Sequence, residues 1–522
     1  MNKESTVKFK KGDIEKRIWG HRLYDEQTGM MTLLEFLCVL ENRPFSQQVP
    51  DPSLPIDKQN VRLGRYKAFE RPLLRSLIFN NPYIDEVYTN VADPWECWCD
   101  HFIADEQNRQ IDGNGGSLNE LKSRLHDLKA YFNEKGRLSD RKSFDCFARV
   151  IRLIRYSGIN LQSGKRWTSR FVFPWGRHCL YLDMDIKGET NDRRFFARNG
   201  ELLYMMLCFA DKRDELAEIL KCRLYDSGND LDTLCRLLSL DEDKPHDVGN
   251  STGDGCILPV EFFEQSRKRI NILCEDLITL FKLPIPTPDI VKHVSRLLSL
   301  NLLCYFLEQS YAVIGRFSPD SNPLPCIMPC EILTKGSSDV RRVSRAFFER
   351  HQTVSFDAVR LYHEHYVGQE PTDSTEEEEE ENSSKKKDRD SLKDILNNHK
   401  HHWGSSLFRA LAKDCGLASD IYARSFRYAP SDNLIETLAA VIVPVERKRM
   451  LLPEFLKHAS ERYNIVFGEK EFIAANISDK TLVPNSSDLE ANRFRLQAKF
   501  RSLGLLVALS DGFEFVLNPY QV

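Results

Sequence analysis

One stretch of the chain is hard to fit into any packed core. "GQEPTDSTEEEEEENSSKKKDRD" is a glutamate block followed by a lysine block, without one large apolar side chain. Such a segment buries too little surface to offset the entropy of ordering it, so residues 367–390 are expected to be a disordered linker. At 522 residues the chain is also longer than one hydrophobic core usually supports. The expected fold is mainly α and multidomain, with a short β insertion and a C-terminal winged helix-turn-helix. A helical domain should occupy residues 1–160 and an α+β, then helical, middle domain residues 161–366. Beyond the linker, a C-terminal module should occupy 391–522, with the winged helix from about 450 to 522.

Helical signals run through the N-terminal part. "DEQTGMMTLLEFLCVLE" reads as a helix buried on most sides, and "DPWECWCDHF" puts Asp93 at a cap with Pro94 at the first helical position. Leu118, Leu121, Leu125, Leu128 and Phe132 recur at the helix period. "TPDIVKHVSRLLSLNLLCYFLEQS" opens another helix at Thr287 and Pro288. Between Arg166 and Lys187, "RFVFPWG" and "HCLYLDMDI" have the texture of two short strands, and "SLDEDKPHDVGNSTGDG" reads as a polar loop.

The C-terminal pattern is more specific. "LLPEFLKHASERY" lines Leu452, Phe455, Leu456, Ala459 and Tyr463 on one helix face, with Gly468 as its stop and "EKEFIAANI" as a short second helix. "SDLEANRFRLQAKFRSLG" follows, with Ser487 and Glu490 spaced as a capping box and Gly504 as a left-handed stop. "LLVALSDGFEFVL" then places an Asp-Gly turn between two apolar strands, a strong hairpin signal. Helix, helix, basic helix and hairpin together spell a winged helix.

Two uses of that third helix stay open. Leu489, Leu496, Phe500 and Leu503 form the inward stripe; Arg495, Gln497, Arg501 and Ser502 point away. Arg493, Arg495, Lys499 and Arg501 outweigh Asp488 and Glu490 by +2, and with Gln497 they suit base edges and phosphates. Basic residues late in a helix also simply complement its dipole. Phe494 projects from the apolar stripe and suits a protein interface, and the tip Ser510-Asp511-Gly512 offers an acid and no base.

Chemical signatures are weak. Asp183, Asp185 and Lys187 share the acid-x-Lys spacing of some metal-dependent nucleases, without a separate acid on the preceding strand. Cys97 and His101 stand at i and i+4, a spacing that lets them share a metal, with Cys326 and Cys330 as candidates to complete the site; buried thiols are the default reading. His399, His401 and His402 read as solvated helix surface. No dinucleotide, Walker, nucleophile-elbow or HExxH motif occurs, so no cofactor is implied.

The formal charge of −4 requires any nucleic-acid surface to be local. "MNKESTVKFKKGDIEKR" has no apolar signal core, and "LLSLNLLCYFL" falls short of the roughly 20 residues that cross a bilayer. With 14 cysteines and no secretory signal, the expectation is a cytoplasmic protein with reduced thiols and no membrane partner.

Three stretches, "RIWGHRLYDEQTGMMTLLEFL", "FFARNGELLYMML" and Phe500 to Pro519, resemble uncharacterised accessory proteins of bacterial multigene anti-phage defence islands. The resemblance implies a non-enzymatic subunit of a DNA-targeting complex, with other defence-system proteins as partners and DNA contact through the winged helix or the whole complex. It carries over no catalytic residue. The alternatives are a nuclease effector built on Asp183, Asp185 and Lys187, and a helical scaffold that binds only protein.

Overall fold

Helices dominate the described residues of this computed structural model, which are 13–21, 28–45, 60–63, 66–69, 77, 81–85, 91–109, 118–136, 139–158, 176–179, 198–225, 229–237, 245–248, 256–259, 263–318, 324–332, 338–367, 392–402, 404–418, 426–510 and 512–521. In chain order they are α1 (Asp13–Trp19), α2 (Gly29–Asn42), α3 (Pro94–Arg109), α4 (Leu118–Gly136), α5 (Asp140–Gly158), α6 (Asn199–Leu207), α7 (Arg213–Leu220) and α8 (Asp230–Leu237). There follow α9 (Arg267–Lys282), α10 (Thr287–Phe317), α11 (Asp339–Val367), α12 (Leu392–His402), α13 (Gly404–Asp414), α14 (Asp432–Ile442), α15 (Leu452–Tyr463), α16 (Glu469–Ala474) and α17 (Ser486–Ser502). Strands are short: β1 (Asn60–Leu63), β2 (Tyr66–Phe69), β3 (Pro245–Val248), β4 (Cys256–Pro259), β5 (Met328–Pro329), β6 (Arg449–Leu451), β7 (Ile465–Val466), β8 (Leu506–Ala508) and β9 (Glu514–Leu517).

Helix α10 organises the larger core. It is apolar on nearly every side, so α2, α9, α11, α13 and α14 cover it. By length and composition this 31-residue helix could cross a membrane, but 78% of its most apolar window is buried inside the protein. The short apolar run expected from the sequence is thus the middle of a much longer core helix. Residues from Ile14 to Val516 contribute to this one core. The packing therefore does not follow the expected division at 367–390. That linker lies outside the described residues, while α11 before it packs on α12 and α13 behind it.

Polar joints fix the two sides of that division together. Arg269 of α9 donates to Glu308 of α10 (3.1 and 2.5 Å) and to the Arg462 carbonyl (2.5 Å). Asn464 donates to the same Glu308 at 2.9 Å. Arg462 and Tyr463 both donate to the buried Asp276, the tyrosine at 2.6 Å. Met328 and Pro329 pair in parallel with Ile465 and Val466, joining β5 to β7.

A smaller core stands apart, built from α3, α4, α5 and α8 around Trp95, Trp98, Phe102, Phe144 and Phe147. Asp93 caps α3 as expected, accepting from the N–H of Trp95 (2.9 Å) and Glu96 (3.2 Å).

Several local expectations need correction. The polar loop after Ser239 contains β3, which pairs with β2; a partner strand supplies the hydrogen bonds that its composition does not advertise. Helix α15 ends at Asn464 (φ 59°), not Gly468, because asparagine tolerates the left-handed region. Arg177–Cys179 form a 3-10 turn where a strand was expected to begin. The rest of the expected strand pair, including Asp183, Asp185 and Lys187, lies outside the described residues.

Candidate interaction surface

The position of α17 is set at both ends. Asn485, not Ser487, caps it, its side chain accepting from the Asp488 N–H at 2.8 Å. The Asp488 carboxylate accepts from the Asp339 N–H (2.5 Å), and Asp339 accepts in return from the Asn485 N–H (2.9 Å). The N-termini of α11 and α17 thus cap one another, which suits carboxylates at positive helix ends. At the other end Gly504 takes φ 71°, the Gly504 N–H reaches the Arg501 carbonyl (3.0 Å), and the Leu505 N–H reaches the Phe500 carbonyl (2.8 Å). This is the Schellman stop expected of that glycine.

The inner face is fully committed. Leu489, Leu496 and Phe500 are buried, with Phe500 edge-on to Phe455 at 5.4 Å. Asn492 is completely buried; it donates to the carbonyls of Cys330 (3.0 Å) and Phe467 (3.1 Å) and accepts from the Ile332 N–H (2.8 Å). Both donors and the oxygen of its amide are thus engaged.

Much of the expected outward face is committed too. Gln497 is buried, a reversal of its expected position, and donates to Glu514 of β9 at 2.5 Å. Arg501 donates to the other oxygen of Glu514 at 2.8 Å. Lys499 bonds the Pro430 carbonyl (3.0 Å) and pairs with Asp432 (2.8 Å). Arg495 is half-buried. A carboxylate on the neighbouring strand pulled Gln497 inward, and a helical-wheel projection cannot contain that strand. The exposed stripe is instead Glu490, Arg493, Phe494, Ala498 and Arg501.

Apolar exposure concentrates around this helix. Phe494 is 60% exposed, Ile473 on α16 71%, and Val507, Leu509 and Phe513 of the hairpin 40%, 39% and 55%. Among the described residues, Leu153 is the other large apolar side chain with such exposure. In the antiparallel sheet of order β6-β9-β8, one row, Met450, Val516 and Leu506, faces the core. The next row, Leu451, Phe515 and Val507, faces out, with the Arg449 guanidinium 4.6 Å from the Phe515 ring centre. Phe494, Ile473, Val507, Leu509 and Phe513 thus stand on α16, α17 and the β8–β9 hairpin, elements that pack on one another.

The metal candidates are not brought together. The His101 ring N–H donates to the Cys97 carbonyl at 2.8 Å, the imidazole stacks on Tyr83, and the Cys97 sulfur stands 4.0 Å from Nδ1. Cys326 and Cys330 belong to the larger core and Cys97 and His101 to the smaller assembly. Burial, followed by Asp100, pushes the neighbouring Cys99 thiol up to about 12. Among the described residues no group of three His, Cys, Asp or Glu side chains is arranged to hold a metal ion.

Two buried polar clusters escaped the sequence reading. His399 is fully buried rather than solvated; its Nε2 lies 3.0 Å from Ser355 Oγ, and its Nδ1 lies 3.6 Å from Glu15. The order is that of a serine nucleophile, base and acid. All three residues have no exposed surface, and Trp19 and Phe356 cover the imidazole, so no substrate reaches the hydroxyl. The cluster ties α1 to α11 and α12. The side chains of His401 and His402 lie outside the described residues.

The second cluster joins two of the stretches that carry the family resemblance. Glu35 accepts from the N–H groups of Arg198 (3.0 Å) and Gly200 (2.7 Å), capping α6 in trans. His21 bonds Glu201 at 2.6 Å. Burial, then the Glu201 charge, pushes the Glu35 pKa far above the usual carboxylate range. A Cβ at Gly200 would stand 2.5 Å from the Phe36 nitrogen, so only glycine permits this approach. The readable signal was an acid isolated in the apolar run "TLLEFL".

No protein-family model, curated protein or solved structure matches the chain.

Proposed function

We propose that the chain is a non-catalytic accessory subunit of a DNA-targeting anti-phage defence complex, and that its C-terminal winged helix docks a protein partner. The defence context rests on the resemblance of the three sequence stretches. The winged-helix reading is supported by the order α14, β6, α15, α17, β8, β9 and by the sheet order β6-β9-β8. In this order α14, which precedes the span expected from the sequence, is the first helix and α15 the second. Helix α16, expected as the second helix, instead joins β7 in lengthening the turn before α17.

The observation that carries docking over DNA reading is the exposed Phe494 and its apolar neighbours, next to basic groups already engaged. Lys499 and Arg501 each face a carboxylate, which lowers their gain from a phosphate. Arg493 is the exposed cation that most favours DNA.

Co-expression with the products of neighbouring genes tests the reading. Phe494→Asp should abolish co-purification, and Arg493→Ala with Arg501→Ala should leave it intact. Phe494→Asp should change stability by less than about 0.5 kcal/mol because the position is exposed, and the double arginine variant should lose up to about 1 kcal/mol because Arg501 pairs with Glu514. Tight, salt-sensitive duplex binding by the purified chain, lost in the double arginine variant, would replace docking with DNA contact.

A further inference from the structure

Beside the smaller core, a half-open cavity of about 360 Å³ lies between α4, α5 and α8. Phe132, Val150, Leu231 and Leu234 form its apolar walls. Phe132 is braced from behind by Phe147 (5.4 Å) and Trp95 (6.1 Å), so that wall is rigid. One end is polar. Tyr131 Oη donates to Asp230 at 3.0 Å, Lys135 donates to Tyr131 Oη at 3.3 Å, and Lys135 pairs with Asp230. Lys135 and Asp230 cancel in charge, and both remain about half or more exposed at 51% and 67%. An incoming anion would face the aspartate and an incoming cation the lysine. An uncharged N–H or O–H group can instead donate to Asp230, and an uncharged acceptor can take a hydrogen bond from Lys135.

The volume lies near the lower end of the range for ligand sites, about 300–1,000 Å³. That is too small for a dinucleotide and suits one or two fused rings. The aromatic wall favours a flat molecule that can stack or meet it edge-on. We propose that this cavity is a binding site for a small, uncharged aromatic molecule, its ring against Phe132, Val150 and Leu234 and its polar edge at the Tyr131–Lys135–Asp230 cluster. This site is independent of the C-terminal docking face.

Cys146 lines the cavity and is exposed, which provides a reporter in the full-length protein. Cys222, also exposed, lies outside it and serves as the internal control. Iodoacetamide labelling of both thiols would be followed by peptide mass spectrometry with indole as the probe. At millimolar indole, Cys146 alkylation should slow about fivefold while Cys222 is unchanged, an affinity in keeping with so small a ligand. Indole-3-acetate and tryptamine, which carry opposite charges, should protect several-fold less. Leu234→Trp should fill the cavity and remove protection, and the exposed change Asp230→Asn should weaken it without disturbing the fold. Unaltered Cys146 labelling in the wild-type chain would overturn the site. Equal protection by the charged analogues would overturn its preference for neutral ligands.

Discussion

The two cores solve the same packing problem by different means. The smaller draws most of its buried residues from positions 77–151 and holds them by aromatic contact, with Trp95 against Phe144 and Phe147 and Trp98 stacked on Phe102 at 5.3 Å. Its two indole N–H groups each find one partner, Ser143 and Asn81. The larger gathers segments from Ile14 to Val516 and threads charged and amide groups through its interior. Neighbours in sequence meet without much choice of partner. Remote segments have many ways to pack, and a buried ion pair penalises the wrong ones because each mismatch strands a charge. Shape specifies the local core, and hydrogen bonding adds specificity to the long-range one.

Removing shape from the smaller core should have the largest effect. Trp95 is fully buried and touches four aromatic rings. Trp95→Ala should cost about 4 kcal/mol of stability, the range for emptying a buried indole site. Hydrogen exchange should lose protection across α3, α4 and α5 while α10 keeps its own. Loss of protection throughout the chain would mean that the two cores unfold as one.

Arg462→Ala attacks the other side of the comparison. It leaves Asp276, with no exposed surface, without its cation. The expected cost is about 3 kcal/mol, towards the low end for a broken buried pair because Arg462 is partly exposed. The exchange pattern should reverse, with α9, α10 and α15 losing protection together. A loss of unfolding free energy in urea below about 1 kcal/mol would show that this joint adds no specificity.

Acidity should separate the cores further. Burial, then Arg350, lowers the His351 pKa to about 3. As pH falls below about 6.5 the unfolded chain takes a proton that the folded one refuses, so stability should drop by up to about 1.4 kcal/mol per pH unit until pH nears 3. Glu35 acts oppositely. Its raised pKa keeps a proton in the folded chain that the unfolded chain gives up, so its contribution is present at low pH and lost as pH rises through the folded pKa. Thermal unfolding of His351→Gln across this pH range should show a flattened acid limb. An unchanged slope would mean that the ring takes its proton in the folded state.

What was legible in the sequence follows the same divide. Asp93 with Pro94, the inward face of α15, the Gly504 stop and the β8–β9 hairpin depend on neighbours a few residues away, and each is present. Gln497, His399 and Glu35 depend on partners that the local pattern does not contain. Gln497 turned inward toward Glu514, His399 was buried by α1 and α11, and Glu35 capped a helix more than 160 positions away. Strand β7 has two residues, too few for any alternation to show, and it exists because β5 pairs with it.

The gentlest test concerns the boundary between residues 367 and 392, where composition and packing point in different directions. Composition alone predicts two separable halves. Packing places α11 against α12 and α13, pairs β5 with β7, and ties Asn492 of α17 to the backbone at Cys330 and Ile332. A protease cut within residues 371–390 should therefore leave two fragments that co-elute in gel filtration and separate only in denaturant. Deleting residues 376–387 should change stability by less than about 1 kcal/mol, because loop-closure entropy varies only with the logarithm of loop length. Fragments that part in native buffer would mean that Arg269, Glu308, Arg462 and Asn492 do not hold the larger core together, and its two sides would then have to be treated as separate folding units.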